Sequence, residues 1–554
     1  MSIDIETYRL KAQEAIEYVF VKEYHNSLGI PMPIVKMLLP DDANYSTGQY
    51  YITIDKTWQI HLNFGKLPIS YHEFQNKVKV LTRHEIEHYM CCPFDVITHF
   101  RMLKRIRDVY YKHFSHLGIN IEYACGAISN QAADIIVDTK NYYRHSKETL
   151  KSEIDWIKIG ANISACPRHC KLMFLTKEAI WKEDLGINET DPEFLKIVHQ
   201  LADSFTKNGI EDKSSFLDKV EEYAEIFFKL YVEDQKNPQQ SSQQGSQQQS
   251  GQWGVGRPKD GDEHGNAFVF ADPDKVKEAI EVLAEETSVE EFIDLLAIAG
   301  IIGMSDKQKG VLWFNVQSAN IIPIVEFSNT GNKSSYTYPS VWRIGDPIEE
   351  LDLMLTYMTS PRLIPGMTTK KWGYVSNDDN GTESKQMDLL LVVDTSGSMG
   401  SAMKESANMH QAVLASYGIL SYFESTKSKV AFIGFSDKID AYVDWSDKYD
   451  DVRERLLTNG HGGTKFPISR IKSTLDVRSR DLVTVLITNG DLGNINESVS
   501  YFRDYLNDDN KLYIFLLGGS KSLHSYEPLK NIGAKIYNAN NANEFCDMVL
   551  TDME

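Results

Sequence analysis

Two hydrophobic periods divide this chain. In the first half, apolar residues recur at helical spacing. Tyr8, Ala12, Ala15, Ile16, Val19 and Phe20 predict a helix over 6–29 that Pro31 and Pro33 bring to an end. The β-formers of 50–64 predict two strands with a turn near Asp55-Lys56. A helix follows from about Tyr71, carrying Val78, Leu81, Ile86 and Tyr89, and Cys92-Pro93 signals its end. Residues 172–232 read as helical, and 272–303 as one or two helices opened by Asp272-Pro273. From Leu389 the pattern changes to short continuous apolar runs separated by helical segments. Strands are expected at 389–393, 429–435, 440–445, 482–488, 511–517 and 535–537. Helices are expected at 402–424, 448–457, 466–475, 497–506 and 544–551. Runs apolar throughout are strands covered on both faces, and their alternation with helices predicts a doubly wound, mostly parallel sheet.

Between the halves, 235–266 is a Gln/Ser/Gly tract with almost nothing apolar to bury, and it reads as a flexible linker. Residues 267–385 read as a largely helical accessory region that packs on the C-terminal domain or bridges the two halves. It holds Trp313, Trp342, Trp372 and a helix candidate at 344–355. The fold class expected is therefore multidomain α/β. A mostly helical domain with a small β-sheet spans 1–234, and a Rossmann-like sheet domain spans 386–554.

Net charge and cysteine usage narrow the class of function. A charge of -20 over 554 residues repels phosphate backbones, so no direct nucleic-acid binding is expected. No run of about 18 apolar residues occurs, so no membrane span is expected. The N-terminus lacks a signal-peptide pattern, and six cysteines do not make a disulfide scaffold, so a cytoplasmic location is expected.

Two stretches carry candidate chemistry. In His84-Glu85-Ile86-Glu87-His88 the histidines are four residues apart on one helix face, close enough to share one Zn²⁺. Glu85 can reach a metal-bound water and serve as general base. In Asn130-Gln-Ala-Ala-Asp134-Ile-Ile-Val-Asp138 two aspartates again share a helix face. Asp134 is read as the third zinc ligand and Asp138 as the group that orients a histidine ring. The plainer alternative is a solvated acidic face. The second stretch is Asp394-Thr-Ser396-Gly-Ser398, directly after an apolar strand. Its carboxylate and two hydroxyls form an all-oxygen set suited to Mg²⁺, at the strand end where open α/β sheets gather ligands. Alternatively these groups only cap the following segment. Cys166-Pro-Arg-His169-Cys170, with Cys91 and Cys92, offers a further zinc knot or simply buried thiols.

The first stretch, with the Asn130–Asp138 segment, resembles the bacterial metallopeptidases fused to a von Willebrand factor A-like domain. The resemblance implies a zincin domain over 1–234, a protein substrate and a MoxR-type AAA+ ATPase as partner. Residues 386–554 resemble the von Willebrand factor A domain with its metal-ion-dependent adhesion site. That likeness implies Mg²⁺ at Asp394, Ser396 and Ser398, with Thr464 as the second motif. Asn489 stands where the family places an aspartate, so Asn489 or the nearby Asp491 would complete the set. Two functions follow. One is a zinc protease whose C-terminal domain docks the ATPase through Mg²⁺. The other is a non-catalytic adaptor, similar to chelatase subunits, that couples an ATPase to a target and has a structural or degenerate zinc site. No phosphate-binding loop is present, so energy-driven unfolding would come from the partner. A role in bacterial defence or stress, with cleavage gated by a partner, is a further expectation.

Overall fold

The computed structural model describes residues 5–38, 50–54, 59–64, 70–160, 163, 166–236, 273–301, 304–321, 340–342, 370–371, 387–478, 481–490, 492, 494–508, 510–518 and 523–539. The chain is mixed α/β and divides into two compact units, Met1–Ser305 and Asp306–Glu554. Most of the Gln/Ser tract, the helix candidate at 344–355, Trp372, Asp491 and the helix expected at 544–551 lie outside the described residues.

In the first unit, α1 (Ile5–Glu17) continues into a wider turn at Tyr18–Glu23, so the helix expected over 6–29 stops early. A three-stranded sheet follows, formed by β1 (Ile34–Leu38), β2 (Tyr50–Ile54) and β3 (Gln59–Phe64). β2 and β3 are antiparallel, as a hairpin requires, and β1 adds in parallel to β3. The sequence reading has no β1, because only five residues after two prolines carry it. The helix with the histidines is α2 (Tyr71–Met90), started by Ser70, whose side chain accepts from the Glu73 N–H. Phe74, Val78 and Ile86 on its inner face are fully buried among Tyr8, Ile16, Val35, Ile60 and Leu62. Each such side chain contributes about 1.5–3 kcal/mol. This packing fixes the rotation of α2, and the opposite face turns His84 and His88 toward α4 (Ile121–Gly160).

α4 is not one rod. His145 has φ -136 and ψ 47, outside the helical region, so the element breaks into two halves there. Both halves run along α2. Lys77 pairs with Asp155 and Arg83 with Glu148 on the second half, while Glu87 pairs with Lys140 and Arg144 on the first. Around them stand α3 (Val96–Val109), α5 (Arg168–Trp181), α6 (Pro192–Thr206) and α7 (Phe216–Lys236). Two more helices, α8 (Pro273–Glu286) and α9 (Val289–Ile298), belong to this unit, where Glu286 pairs with Arg101, and Glu291 and Asp294 with Arg107. The stretch 267–385 is thus divided, since α10 (Asp306–Ile321) lies in the second unit.

The second unit is built on a six-stranded sheet: β6 (Asp388–Asp394), β7 (Val430–Phe435), β8 (Ile439–Ser446), β9 (Leu482–Thr488), β10 (Lys511–Leu517) and β11 (Lys535–Ala539). Its order is β11-β10-β9-β6-β7-β8, parallel except for β8. (β4 and β5 are the two-residue pair Ser340–Val341 and Lys370–Lys371.) All seven residues of β6 and of β9 are buried, as their unbroken apolar runs predict. Leu390 and Val392 pack with Phe466, Ile471, Phe502 and Tyr526 on one face. The alternate residues face α11 (Asn408–Ser425), which α10 covers in turn through Phe314 against Tyr417. Among the described residues no helix is long and apolar enough to cross a membrane.

Candidate functional site

The structure brings His84, His88 and Asp134 together, with one ligand atom from each lying within 4.8 Å of the others. His84 Nε2 is 3.0 Å from His88 Nε2, and Asp134 Oδ1 is 3.6 Å and 3.2 Å from the two nitrogens. The far side of each ring is engaged. His84 Nδ1 donates to Asp138 Oδ1 at 2.7 Å, and His88 Nδ1 donates to the Cys92 carbonyl at 3.0 Å. These bonds put the exchangeable proton on Nδ1 and turn the Nε2 lone pairs inward. Asp138 therefore orients the His84 ring, and the turn that ends α2 orients the His88 ring.

Asp134 supplies the test of fit. Its Oδ2 accepts from Asn130 Nδ2 at 3.1 Å, while its buried Oδ1 accepts no hydrogen bond. A buried acceptor facing two imidazole lone pairs is a costly arrangement unless a cation lies among them. Two nitrogens and one carboxylate oxygen, with a further position open, form the donor set of a catalytic zinc site. The local charge agrees. Burial lowers the pKa of His84, but Asp138, then Asp134 and Glu85, raise it to about 10. The field of these carboxylates thus favours positive charge among the three groups, which a bound cation would supply. Glu85, the residue after His84, is half-buried on the same helix and belongs to this field.

Behind Asp138 lies a buried pair with no signal in the sequence. Lys177 of α5 donates to Asp138 Oδ2 and, at 2.8 Å, to Glu153 Oε1. Burial opposes the charge on Lys177, yet Asp138 and Glu153 hold its pKa above the usual lysine value. Glu87, the fourth residue of the motif, is fully buried. Tyr24 and Arg144 donate to it, and the Lys140 ammonium lies 2.9 Å away. The Cys166–Cys170 segment is not part of a comparable cluster among the described residues. His169 Nδ1 is taken by Asp234, and burial pushes the Cys91, Cys92, Cys166 and Cys170 thiols up, which disfavours zinc-binding thiolates.

The second candidate lies in the other unit. Asp394, Ser436 and Thr488 sit at the carboxyl ends of three neighbouring strands, β6, β7 and β9. The chain leaves β6 for β7 on one side and reaches β9 on the other, so the strand order reverses here. Asp394 Oδ1 accepts from the Ser396 N–H at 2.9 Å, and Oδ2 from the Thr488 hydroxyl at 2.6 Å. Ser396 Oγ and Ser398 Oγ are 3.1 Å apart. Asn489 clasps Ser398 twice, accepting from its hydroxyl at 3.1 Å and donating to its carbonyl at 2.8 Å. Thr464 is half-buried between two anchored residues: Gly397 N–H donates to the Gly462 carbonyl and Lys465 N–H to the Ser436 carbonyl. Gly460 is required nearby, because a Cβ there would lie 2.2 Å from Asp440 Oδ2 and 2.6 Å from the Thr395 carbonyl. Asp394 is fully buried, and among the described residues no cationic side chain pairs with it. An uncompensated buried carboxylate beside two hydroxyls fits a hard cation. Thr488 is absent from the sequence reading although it directly precedes Asn489, because an apolar strand ending in threonine carries no metal signal.

No family model matches this chain, and no curated protein matches it. Among solved structures, an uncharacterized membrane spanning protein from Vibrio fischeri is 18% identical over 30% of this chain and 96% of that one, with a TM-score of 0.14, which carries no argument about fold or function.

Proposed function

We propose that the first unit is a zinc-dependent peptide hydrolase of zincin type. The second unit is then a von Willebrand factor A-like domain that docks a partner through Mg²⁺, the partner being a MoxR-type AAA+ ATPase. The observation that carries the hydrolase reading is the convergence of two Nε2 lone pairs and the unsatisfied Asp134 Oδ1 beside Glu85. His84, His88 and Asp134 would hold zinc, which when bound acidifies a water and polarises the scissile carbonyl. Glu85 takes the proton of the attacking water and returns it to the leaving amine. Asp138 keeps the His84 ring in the tautomer the metal needs, and the Cys92 carbonyl does the same for His88. In the second unit, Asp394, Ser396, Ser398 and Thr464 would supply oxygens to Mg²⁺. Asn489 would hold the Ser398 loop with one charge fewer than an aspartate. The carboxyl-end position of this loop supports docking of a partner's acidic side chain.

Zinc per chain, measured by mass spectrometry on wild type and His88→Ala, tests the site. About one zinc in wild type, lost in the folded variant, is expected. Glu85→Gln should then keep zinc and lose peptide hydrolysis by about 10²–10⁴-fold. A zinc-loaded Glu85→Gln with unchanged function would leave the adaptor reading, in which the metal is structural.

A further inference from the structure

We propose that Lys177 and Glu153 are positioning residues of the metal site, acting through Asp138 to hold the His84 ring. The inference rests on the zinc reading above. Asp138 divides its two oxygens, Oδ1 accepting from His84 and Oδ2 from Lys177. Lys177 divides its ammonium between Asp138 and Glu153, with 2% of its side chain exposed. Asp138 and Glu153 are fifteen residues apart on α4, about 22 Å along a straight helix. They reach one ammonium only because α4 breaks at His145 between them. The break therefore delivers a carboxylate to the back of Lys177, and Lys177 to the back of Asp138.

A lysine is an expensive way to join two helix halves, since an apolar side chain of similar volume would often do so at no loss. Its donors have a use if Asp138 must be held in place while it accepts from His84. A carboxylate held in that way raises the basicity of the imidazole and locks its direction, and such partners set metal affinity by about 10–100-fold. The chain Glu153–Lys177–Asp138–His84 runs from the buried interior to the ligand without a gap.

The test measures zinc affinity of the full chain by chelator competition in wild type, Lys177→Met, Asp138→Asn, the double variant and Glu153→Gln, with circular dichroism to verify folding. Lys177→Met and Asp138→Asn should each weaken zinc by about 10–100-fold. The double variant should be no weaker than Asp138→Asn alone, because Lys177 acts through Asp138. A merely structural lysine would leave affinity unchanged or add its full effect in the double variant, and either result overturns the proposal. If Lys177→Met does not fold, Glu153→Gln carries the test. It should weaken zinc in the same direction by a smaller factor, and unchanged affinity there overturns the proposal. Wild type that binds no zinc overturns the hydrolase reading and this inference together. Wild type that binds zinc as tightly as Lys177→Met overturns this inference alone.

Discussion

The two candidate sites are both organised around a buried carboxylate, but they satisfy it differently. Asp134 leaves Oδ1 without a hydrogen bond and faces it with two imidazole nitrogens. Asp394 has both oxygens bonded, to a backbone N–H and a hydroxyl, and lacks a cationic side-chain partner among the described residues. The first site leaves a buried acceptor unsatisfied. The second is complete as a hydrogen-bond network and short only of charge. On the metal sites proposed above, the difference would separate a metal that a site needs for its contacts from a metal that a loop can take up or release while keeping its shape.

On the zinc reading proposed above, the largest expected effect comes from removing that metal. At zinc concentrations about 1,000 times the dissociation constant, binding stabilises the folded unit by about 4 kcal/mol. Calorimetry of the whole chain with and without a strong zinc chelator should shift the transition of the first unit and leave that of the second in place. A shared shift would break the comparison. Next in size is Asp394→Ala in metal-free buffer. It strips the acceptor from Ser396 N–H and Thr488 Oγ and should cost about 1–3 kcal/mol, read by denaturant unfolding. Asn489→Asp should tighten Mg²⁺ by about tenfold, or about 1.4 kcal/mol, in titration calorimetry. The same variant should lower metal-free stability, since it loses the donor to the Ser398 carbonyl and brings a second carboxylate near Asp394.

The smallest effect serves as a control away from both sites. Burial raises the pKa of Asp234, but hydrogen bonds from His169 and Arg168 outweigh it and hold the group below its ordinary value. A carboxylate shifted down contributes stability above its unfolded pKa of about 3.9 and loses it as pH falls through the folded value. Thermal melts of wild type and Asp234→Asn should therefore differ at pH 6 and converge below about pH 4, with zinc content equal in both.

Much of this was legible in sequence where a single rule decided the outcome. The strands of the second unit follow from apolar runs, and β9 and β10 keep the expected bounds. The helix expected over 402–424 instead begins at Asn408, because turns occupy 402–407 before it. The helix Leu523–Lys530 went unpredicted because Pro528 argues against one. That His84 and His88 share one helix face, and Asp134 and Asp138 another, was readable from two i, i+4 pairs, while the meeting of the two helices was implied only by the resemblance. The contacts that Lys177 makes with Asp138 and Glu153 were not readable, because they depend on the break at His145, and no glycine or proline marks that position. Those of Glu87 were not, because Tyr24, Lys140 and Arg144 are distant in the chain. Long-range ion pairs leave no period in a sequence.

Glu87 bears on how this site could be moved elsewhere. Its carboxylate is fully buried against Lys140, Arg144 and Tyr24, one residue before His88. A protein engineer who copied the five letters from His84 to His88 into another helix would import a buried anion without its three partners. The recipient would unfold locally or turn the segment outward, and the histidines would turn with it. The transplantable part is the pair of helices α2 and α4 together with the segment that carries Tyr24, so the smallest graft is three separate stretches of chain rather than one motif.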